Sequence, residues 1–175
     1  APLVLFSPIG QVLNHSAVQK WSHSTGAVLL CGRYEGVDQR FIDQYVDQQI
    51  SLGDFVLSGG EIAAMALLDA VARLQPGVLN DEGSHQQDSF NPALDGLLDC
   101  AHYTRPDVWA GPQGEQRVPD VLLSGNHERI ARHRREQSLQ ATAALRPELL
   151  MQARAQGLLS QRDEAFLQTL PPHAP

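Results

Sequence analysis

The stretch SLGDFVLSGGEIAAMALLDAVARLQPG (51–77) decides the fold of the chain, because it joins a glycine-bearing turn to the clearest helix. The helix is predicted over Glu61–Leu74, with Gly59-Gly60 before its first turn and Gln75-Pro76-Gly77 ending it. The apolar run before the glycines is short and is closed by a turn. Runs of the same kind recur towards the N-terminus.

These runs alternate with helical segments. Helices are predicted over His15–Trp21 and Val37–Gln44. The runs that read as buried strands are Leu3–Phe6, Ala27–Leu30, Gln49–Leu52 and Phe55–Leu57. Continuous apolar strands separated by helices indicate a mostly parallel sheet covered on both faces, so the predicted fold class is α/β. This domain is expected to span residues 1–79.

The character of the sequence changes after residue 79. Residues 80–94 are polar, rich in Asp, Gln and Ser and without periodicity, and they are predicted to form a flexible linker. Residues 126–139 and 147–169 have a helical composition. We therefore expect a small helical domain over residues 95–175.

The composition excludes several classes of protein. A hydrophobic content of 42% and a charged content of 19% are those of an ordinary globular protein. Apolar stretches such as Ile62–Leu68 are too short to span a bilayer, and the opening residues carry no secretory signal. Cys31 and Cys100 have neither disulfide nor zinc spacing, so we expect reduced thiols, no metal site and a cytoplasmic location.

Charge is distributed unevenly along the chain. The net charge of −7 does not indicate a nucleic-acid binder. Residues 1–100 hold four Lys/Arg against twelve Asp/Glu, whereas residues 101–175 hold nine against eight. A basic cluster within seven residues contains Arg129, Arg132, Arg134 and Arg135. It is either a local contact for a polyanion or a solvated helix face.

Three of the predicted strands end in glycine-bearing turns, at Ser7–Gly10, Cys31–Gly36 and Leu57–Glu61. Ligands of open α/β sheets bind outside the carboxyl ends of the strands, where glycine lets the backbone approach a planar molecule closely. None of the turns has a dinucleotide or Walker pattern, so phosphate binding is not indicated. The residues alone fit either a small-molecule pocket or three tight turns.

Other candidate residues have equally plain structural explanations. Asp88 follows a polar stretch and fits a turn former or helix cap, and Arg73 lies near a helix end, where a cation meets the dipole favourably. The segment His102–Pro106 combines an aromatic ring, a hydroxyl group and two possible cations. It suits a nucleic-acid contact or a capped turn.

Taken in order, several segments resemble the bacterial tRNA (guanine-N1)-methyltransferases of the knotted SPOUT class. They are LLCGRYEGVDQRFID (29–43), SLGDFVLSGGEIAAMALLDAVARLQPGVL (51–79), DSF (88–90), DGLLDCAHYTRPDV (95–108), VLLSGNHERIARHRREQSL (121–139) and RPELL (146–150). The resemblance covers nearly the whole chain. The chain resembles this family without its N-terminal segment, which includes a first strand and a glycine-rich loop.

The resemblance implies a deep trefoil knot in the first domain and binding of S-adenosylmethionine, bent among three loops. The residues implied to hold this cofactor are Leu5, Ser7, Pro8, Gly32, Tyr34, Glu35, Gly36, Leu52, Gly53, Phe55, Leu57, Gly59 and Gly60. It also implies a homodimer. Each active site would combine the knot of one subunit with the linker and helical domain of the other.

The implied reaction is methyl transfer to N1 of the tRNA guanine immediately 3′ of the anticodon. Asp88 matches the family's general base, and Arg73 matches the residue that stabilises the guanine O6. Residues implied to contact tRNA are His102, Tyr103, Arg105, Arg129, Arg132 and Arg134. Assistance by Mg²⁺ is left open.

Alternatives to this reaction remain. The absent N-terminal segment suggests one alternative, a fragment of the same fold that binds cofactor or tRNA without turnover. The presence of Asp88 and Arg73 argues against it. A knotted methyltransferase acting on rRNA or on another tRNA position is opposed by the DSF and HYTRP segments. A nicotinamide dehydrogenase would need a dinucleotide fingerprint, which no strand carries.

Overall fold

The computed structural model describes residues 1–79 and 84–171. The chain divides into two compact units, residues 1–85 and 86–175. The first four residues of the predicted linker and the last four of the predicted helical domain lie outside the described residues. Ser84–Gln87 and Pro92–Leu94 form short 3-10 turns. The flexibility of the linker stays a prediction.

The first unit alternates strands and helices, as its sequence predicts. Its elements are β1 (Leu3–Val12), α1 (His15–Ser22), β2 (Val28–Leu30), α2 (Gln39–Tyr45), β3 (Gln48–Ser51) and α3 (Glu61–Ala72). The strands form one sheet in the order β2-β1-β3, and both pairings are parallel. The predicted α/β class and parallel sheet are confirmed, and β2 and β3 therefore end on the same edge.

Strand β1 is longer than the predicted Leu3–Phe6, because it bulges and then resumes pairing. Phe6 and Gln11 both align with Ile50 of β3, so the residues between them are displaced from the ladder. Pro8 lies in this bulge and has no N–H for a ladder bond. A Cβ on Gly10 would lie 2.5 Å from the Ile50 nitrogen, so only glycine lets β1 return to β3.

The predicted strand Phe55–Leu57 is wrong: these residues form a loop after β3. The Ser51 hydroxyl accepts a hydrogen bond from the Gly53 N–H and donates one to the Gly53 carbonyl, both at 3.1 Å. The Phe55 N–H also donates to the Gly53 carbonyl. These local bonds replace ladder bonds and turn the chain out of the sheet.

Helix α3 covers one side of this sheet with one of its faces. Leu67 is buried with Val4 of β1 and Ile50 of β3, forming the centre of the first core. Burying side chains of this size stabilises a fold by about 1.5–3 kcal/mol each. The opposite face of α3 carries Ile62, Met65 and Leu68, which are large, apolar and exposed.

Up to residue 171, the second unit joins a hairpin to four α-helices. Strands β4 (Val108–Gly111) and β5 (Gly114–Arg117) pair antiparallel. The helices are α4 (Asp120–Leu123), α5 (His127–Leu145), α6 (Pro147–Ala155) and α7 (Gln161–Leu167). Both predicted helical stretches are confirmed, the second divided at Gly157, whose φ is +70°. Within residues 1–79 and 84–171, no helix is long and apolar enough to cross a membrane.

The core of the second unit forms around helix α5. Leu139 of α5 packs with Leu97, Leu150 and Ala153, all of them buried. The buried Thr142 hydroxyl accepts a hydrogen bond from the Leu98 N–H at 3.0 Å and donates one to the Ser138 carbonyl at 2.8 Å. The segment before the hairpin is therefore held against α5 by its backbone as well as by apolar contact.

A buried carboxylate joins α7 to α5. Asp163 is 5% exposed, and its two oxygens lie 2.9 Å from the Arg132 guanidinium and 3.2 Å from that of Arg135. The Ser160 N–H completes a capping box at 3.1 Å. Burial would raise the pKa of Asp163, but hydrogen bonds from Arg135 and Ser160 hold it below its usual range. The carboxylate is therefore ionised at neutral pH.

We predict that Asp163→Asn lowers the free energy of unfolding of the second unit by about 1–3 kcal/mol, because it removes the carboxylate that Arg132 and Arg135 share and leaves each guanidinium with one remaining carboxylate, Glu136 or Asp95. Urea denaturation followed by circular dichroism measures the loss. The matched control is Glu164→Gln, next in sequence, whose ion pair with Arg154 is exposed. This control is expected to lose less than about 1 kcal/mol.

The pH dependence separates the carboxylate's charge from its shape. Because the folded pKa of Asp163 is depressed, its contribution is complete above the unfolded value of about 3.9 and is lost as the pH falls through the folded pKa. The stability difference between the original chain and Asp163→Asn should therefore shrink below about pH 4. A constant difference down to pH 2 contradicts the electrostatic origin.

Candidate functional site

Three loops at the edge where β2 and β3 end enclose a cavity of about 380 Å³. The first loop is the β1 bulge, the second follows β2, and the third follows β3 and leads into α3. This volume lies in the range of small-molecule sites. The sequence predicts a pocket at this edge, and the structure places one there.

Nearly all residues predicted to hold a cofactor line this one cavity. They are Leu5, Ser7, Pro8, Gly32, Tyr34, Glu35, Gly36, Leu52, Phe55, Leu57, Gly59 and Gly60. The exception, Gly53, lies in the turn after β3 and is not among the lining residues. The sequence did not point to Val37, Ile42 or Ala63, which also line the cavity. Their apolar side chains suit a core equally well, so no pattern distinguishes them.

The second and third loops are in direct backbone contact. The Gly60 N–H donates to the Gly32 carbonyl at 3.1 Å, and Arg33 pairs with Gly59 in an isolated bridge. A Cβ on Gly60 would lie 2.8 Å from the Cα of Cys31, closer than real Cβ atoms come. Glycine at position 60 is therefore required for the two loops to meet.

An ion pair and a free thiol lie in the loops next to the cavity, although Glu61 and Cys31 do not line it. The Arg33 guanidinium lies 2.7 Å from the Glu61 carboxylate, and this hydrogen bond lowers the pKa of Glu61. Burial, and then the nearby Glu61 charge, raises the pKa of the Cys31 thiol. The thiol stays protonated at neutral pH and is a poor nucleophile.

The second loop is held in an uncommon conformation. Tyr34 has a φ of +61° and Gly36 a φ of +135°. Non-glycine residues rarely adopt such values, and strained residues of this kind gather at ligand sites. The Tyr34 side chain is fully exposed beside the cavity, where a ligand could cover it.

The two predicted catalytic residues lie in different units, and neither lines the cavity. Arg73 is the C-cap of α3 and is exposed. Asp88 is half-buried, and its neighbours are held within the second unit: the Ser89 hydroxyl accepts from the Asp99 N–H at 2.8 Å. The Phe90 N–H donates to the Leu97 carbonyl at 2.8 Å. The backbone that carries Asp88 is thus anchored on its C-terminal side.

The predicted tRNA-contact segment His102–Pro106 is exposed throughout. His102 Nε2 lies 2.7 Å from an Asp99 oxygen. With Cys100 these residues place three possible metal-ligand atoms within 4.8 Å of one another. However, burial and then the Asp99 charge raise the pKa of the Cys100 thiol, which opposes metal binding by a thiolate. The segment offers hydrogen-bond donors and an aromatic ring to solvent.

The basic cluster on α5 divides into two kinds of arginine. Arg129 and Arg134 are exposed. Arg132 and Arg135 are 15% and 20% exposed, and both bind the Asp163 carboxylate. Of the predicted tRNA contacts in this cluster, Arg132 is therefore already engaged within the unit.

The fold and cavity define a class: an α/β protein with a cavity at the carboxyl edge of a parallel sheet, joined to a largely helical unit. The model of one protein family, described as tRNA (guanine-1)-methyltransferase TrmD, matches residues 1–152. The chain belongs to this family.

Curated proteins of similar sequence carry the name of the same family. The chain is 72% identical over 169 residues to the tRNA (guanine-N(1)-)-methyltransferase of Polaromonas sp., covering 97% of this chain and 64% of the relative. It is 72% identical over 167 residues to the protein of the same name from Albidiferax ferrireducens, covering 95% and 66%. It is 67% identical over 170 residues to the protein of the same name from Paracidovorax citrulli, covering 97% of this chain and 65% of the relative. The chain thus spans just under two thirds of the length of these relatives.

We predict that Gly60→Ala lowers the free energy of unfolding of the first unit by about 1–3 kcal/mol, because the new methyl group pushes the second and third loops apart. Urea denaturation measures the loss. Ser58→Ala, an exposed substitution in the same loop, is the control and should change stability by less than about 0.5 kcal/mol. Equal stability of the two variants would show that the loops do not need this contact.

Proposed function

We propose that this protein transfers a methyl group from S-adenosylmethionine to N1 of a guanine in tRNA. The observation that carries the proposal is the cavity formed by three glycine-bearing loops in a chain of this family. We further propose that the target is the guanine immediately 3′ of the anticodon. Because bacterial tRNA is in the cytoplasm, we also propose a cytoplasmic location for the protein.

The residues around the cavity fit S-adenosylmethionine. Apolar walls from Leu5, Leu52 and Leu57 suit the adenine ring, and Gly59, which has no side chain, lets the backbone of the third loop approach the ring edge. The only charged side chains among the described lining residues are Arg33 and Glu35, which suit the charged amino-acid end of the molecule. When bound, S-adenosylmethionine supplies an electrophilic methyl group on a sulfonium.

We assign Asp88 as the general base. Guanine N1 carries a proton at neutral pH and attacks poorly until that proton leaves. The Asp88 carboxylate takes the proton as the N1–methyl bond forms and the sulfur–methyl bond breaks, leaving S-adenosylhomocysteine. A positioned base contributes about 10²–10⁴-fold to such a step. Negative charge builds on the guanine O6, and Arg73 is assigned to stabilise it.

We propose a homodimer and a trefoil knot in the first unit. The dimer is proposed from the family to which the chain belongs, in which we take Asp88 to be supplied by the partner. The face of α3 that would meet the partner carries Ile62, Met65 and Leu68, which are 61%, 68% and 58% exposed. An apolar helix face of this kind marks an interaction surface.

Met65→Glu is expected to break this dimer, because it places a carboxylate in the centre of an apolar contact. Sedimentation should give twice the chain mass of 19.1 kDa for the original protein and a single chain mass for the variant. Met151→Glu is a matched control, since Met151 is 60% exposed on α6 of the second unit. A monomeric original protein, or dissociation by both variants, contradicts the assigned face.

The test of function is transfer of labelled methyl from S-adenosylmethionine to two tRNA transcripts, one with guanine and one with adenine immediately 3′ of the anticodon. We expect label on the guanine transcript alone. Asp88→Asn should reduce this transfer by about 10²–10⁴-fold while the Kd for S-adenosylmethionine, measured by calorimetry, stays the same. A parallel assay with EDTA tests whether Mg²⁺ assists.

The control for Asp88→Asn is Asp107→Asn, which makes the same chemical change at an exposed loop position of the same unit. Asp107→Asn should transfer methyl at the original rate. Full activity of Asp88→Asn would remove it as the base. Cofactor and tRNA binding by the original chain without any transfer would identify a binding protein of the same fold.

A further inference from the structure

A second cavity, of about 360 Å³, lies in the second unit beside the basic cluster of α5. We call it the arginine pocket. It is lined by Val121, Glu128, Arg129, Arg132, His133, Glu136 and Arg162. Three guanidinium groups and one imidazole therefore meet in one concave site, and one of the three comes from outside the sequence cluster.

Two structural features place these side chains together. Arg129, His133 and Glu136 are spaced three and four residues apart, so they share one face of α5. Arg162 belongs to α7, and its carbonyl accepts a hydrogen bond from the Arg132 guanidinium at 3.1 Å. The next residue, Asp163, binds Arg132 and Arg135. The buried ion pairs thus fix α7 so that Arg162 reaches the cavity.

The charges in the pocket are not equally available. Arg132 donates to Asp163, to the Arg162 carbonyl and, at 2.7 Å, to Glu136, so its charge and that of Glu136 are satisfied internally. In the part of the chain that the structure describes, no carboxylate forms an ion pair with the Arg129 or Arg162 guanidinium. Both side chains are exposed. Glu128 is the one lining carboxylate that no described arginine binds.

This arrangement suits a phosphate group. A guanidinium presents a planar fork of N–H donors that matches two phosphate oxygens, and two such forks on opposite sides can grip one anion. The half-buried His133, which also lines the pocket, adds a ring N–H donor. Because Arg132 is already engaged, its role is to position the pocket, and Arg129 and Arg162 remain to bind.

We infer that Arg129, His133 and Arg162 form a binding site for a backbone phosphate of tRNA, with Arg132 as a positioning residue. The inference rests on the proposed function for the identity of the polyanion. It adds Arg162 to the tRNA-contact surface and gives Arg132 a structural role in it. Phosphate contacts hold a nucleic acid in register without reading its sequence.

The test is filter binding of a tRNA transcript to the full chain over a range of salt concentrations. Arg129→Gln and Arg162→Gln should each raise the Kd for tRNA about tenfold. Each should also reduce the slope of log Kd against log salt by about one, the loss of one phosphate contact. The Kd for S-adenosylmethionine should not change, because the first unit is untouched.

Arg154→Gln is the matched control, because Arg154 is an exposed arginine of the same unit whose guanidinium binds Glu164 at 2.7 and 2.8 Å. It should bind tRNA with the original Kd and salt slope. Arg132→Gln should lower the thermal midpoint of the second unit, whereas Arg129→Gln and Arg162→Gln should not. Original affinity and slope in both of the latter variants overturns the inference.

A second arm separates a nucleic-acid site from a site for a free anion. Inorganic phosphate is titrated against the original chain and Arg162→Gln in a thermal-shift assay at constant ionic strength. If Arg162→Gln loses a response to phosphate but binds tRNA normally, the tRNA assignment is overturned. Arginine-dependent tRNA binding without methyl transfer supports the phosphate site while contradicting the proposed function, so the two can fail separately.

Discussion

The backbone contact between the second and third loops is the constraint on which the first unit depends. Gly60 lies so close to Cys31 that no side chain fits between them, and its N–H binds the Gly32 carbonyl. This contact brings the start of α3 to the end of β2, and both glycines line the cavity. Gly10 imposes a similar constraint where β1 returns to Ile50. Two close approaches of backbone, neither of them an apolar contact, therefore shape the site.

A buried network of ion pairs holds the second unit together, whereas close backbone contacts at glycines shape the first. Asp163 lies almost without exposure among Arg132, Arg135 and the Ser160 cap. Burying a carboxylate is costly unless its oxygens are all satisfied, and here they are. The consequence for function is geometric: the network uses two arginines of a basic cluster to hold α7, so the cluster's remaining charges face solvent in a fixed arrangement. Arg132 and Arg135 thus stabilise the unit, while Arg129 and Arg134 of the same sequence cluster are exposed.

Much of the fold could be predicted because its signals are local. Apolar residues at helical spacing, with glycine before them and proline after them, predict helix α3. Short apolar runs predict the strands. The β1 extension could not be predicted, because Gln11 and Val12 pair only across a bulge that depends on β3. Phe55–Leu57 looks like a strand until Ser51 binds Gly53. The hairpin gives little signal, since Gly114–Arg117 has no apolar residue and is wholly exposed.

The residues of the two cavities could likewise be predicted only where the signal is local in the sequence. The sequence places three glycine-bearing turns together because parallel strands end on one edge, and all but Gly53 of the predicted cofactor residues do line one cavity. In the structure only the Cys31–Gly36 turn directly follows a strand, because Ser7–Gly10 is a bulge within β1 and Leu57–Glu61 follows a loop. The arginines of α5 are indistinguishable in sequence, and only a carboxylate about thirty residues further along separates them. The net charge of −7 does not describe the local distribution of charge in the second unit. Within the second unit, Asp163 binds Arg132 and Arg135, while the arginine pocket brings the exposed Arg129 and Arg162 together, and salt screens charges that lie more than about 10 Å away.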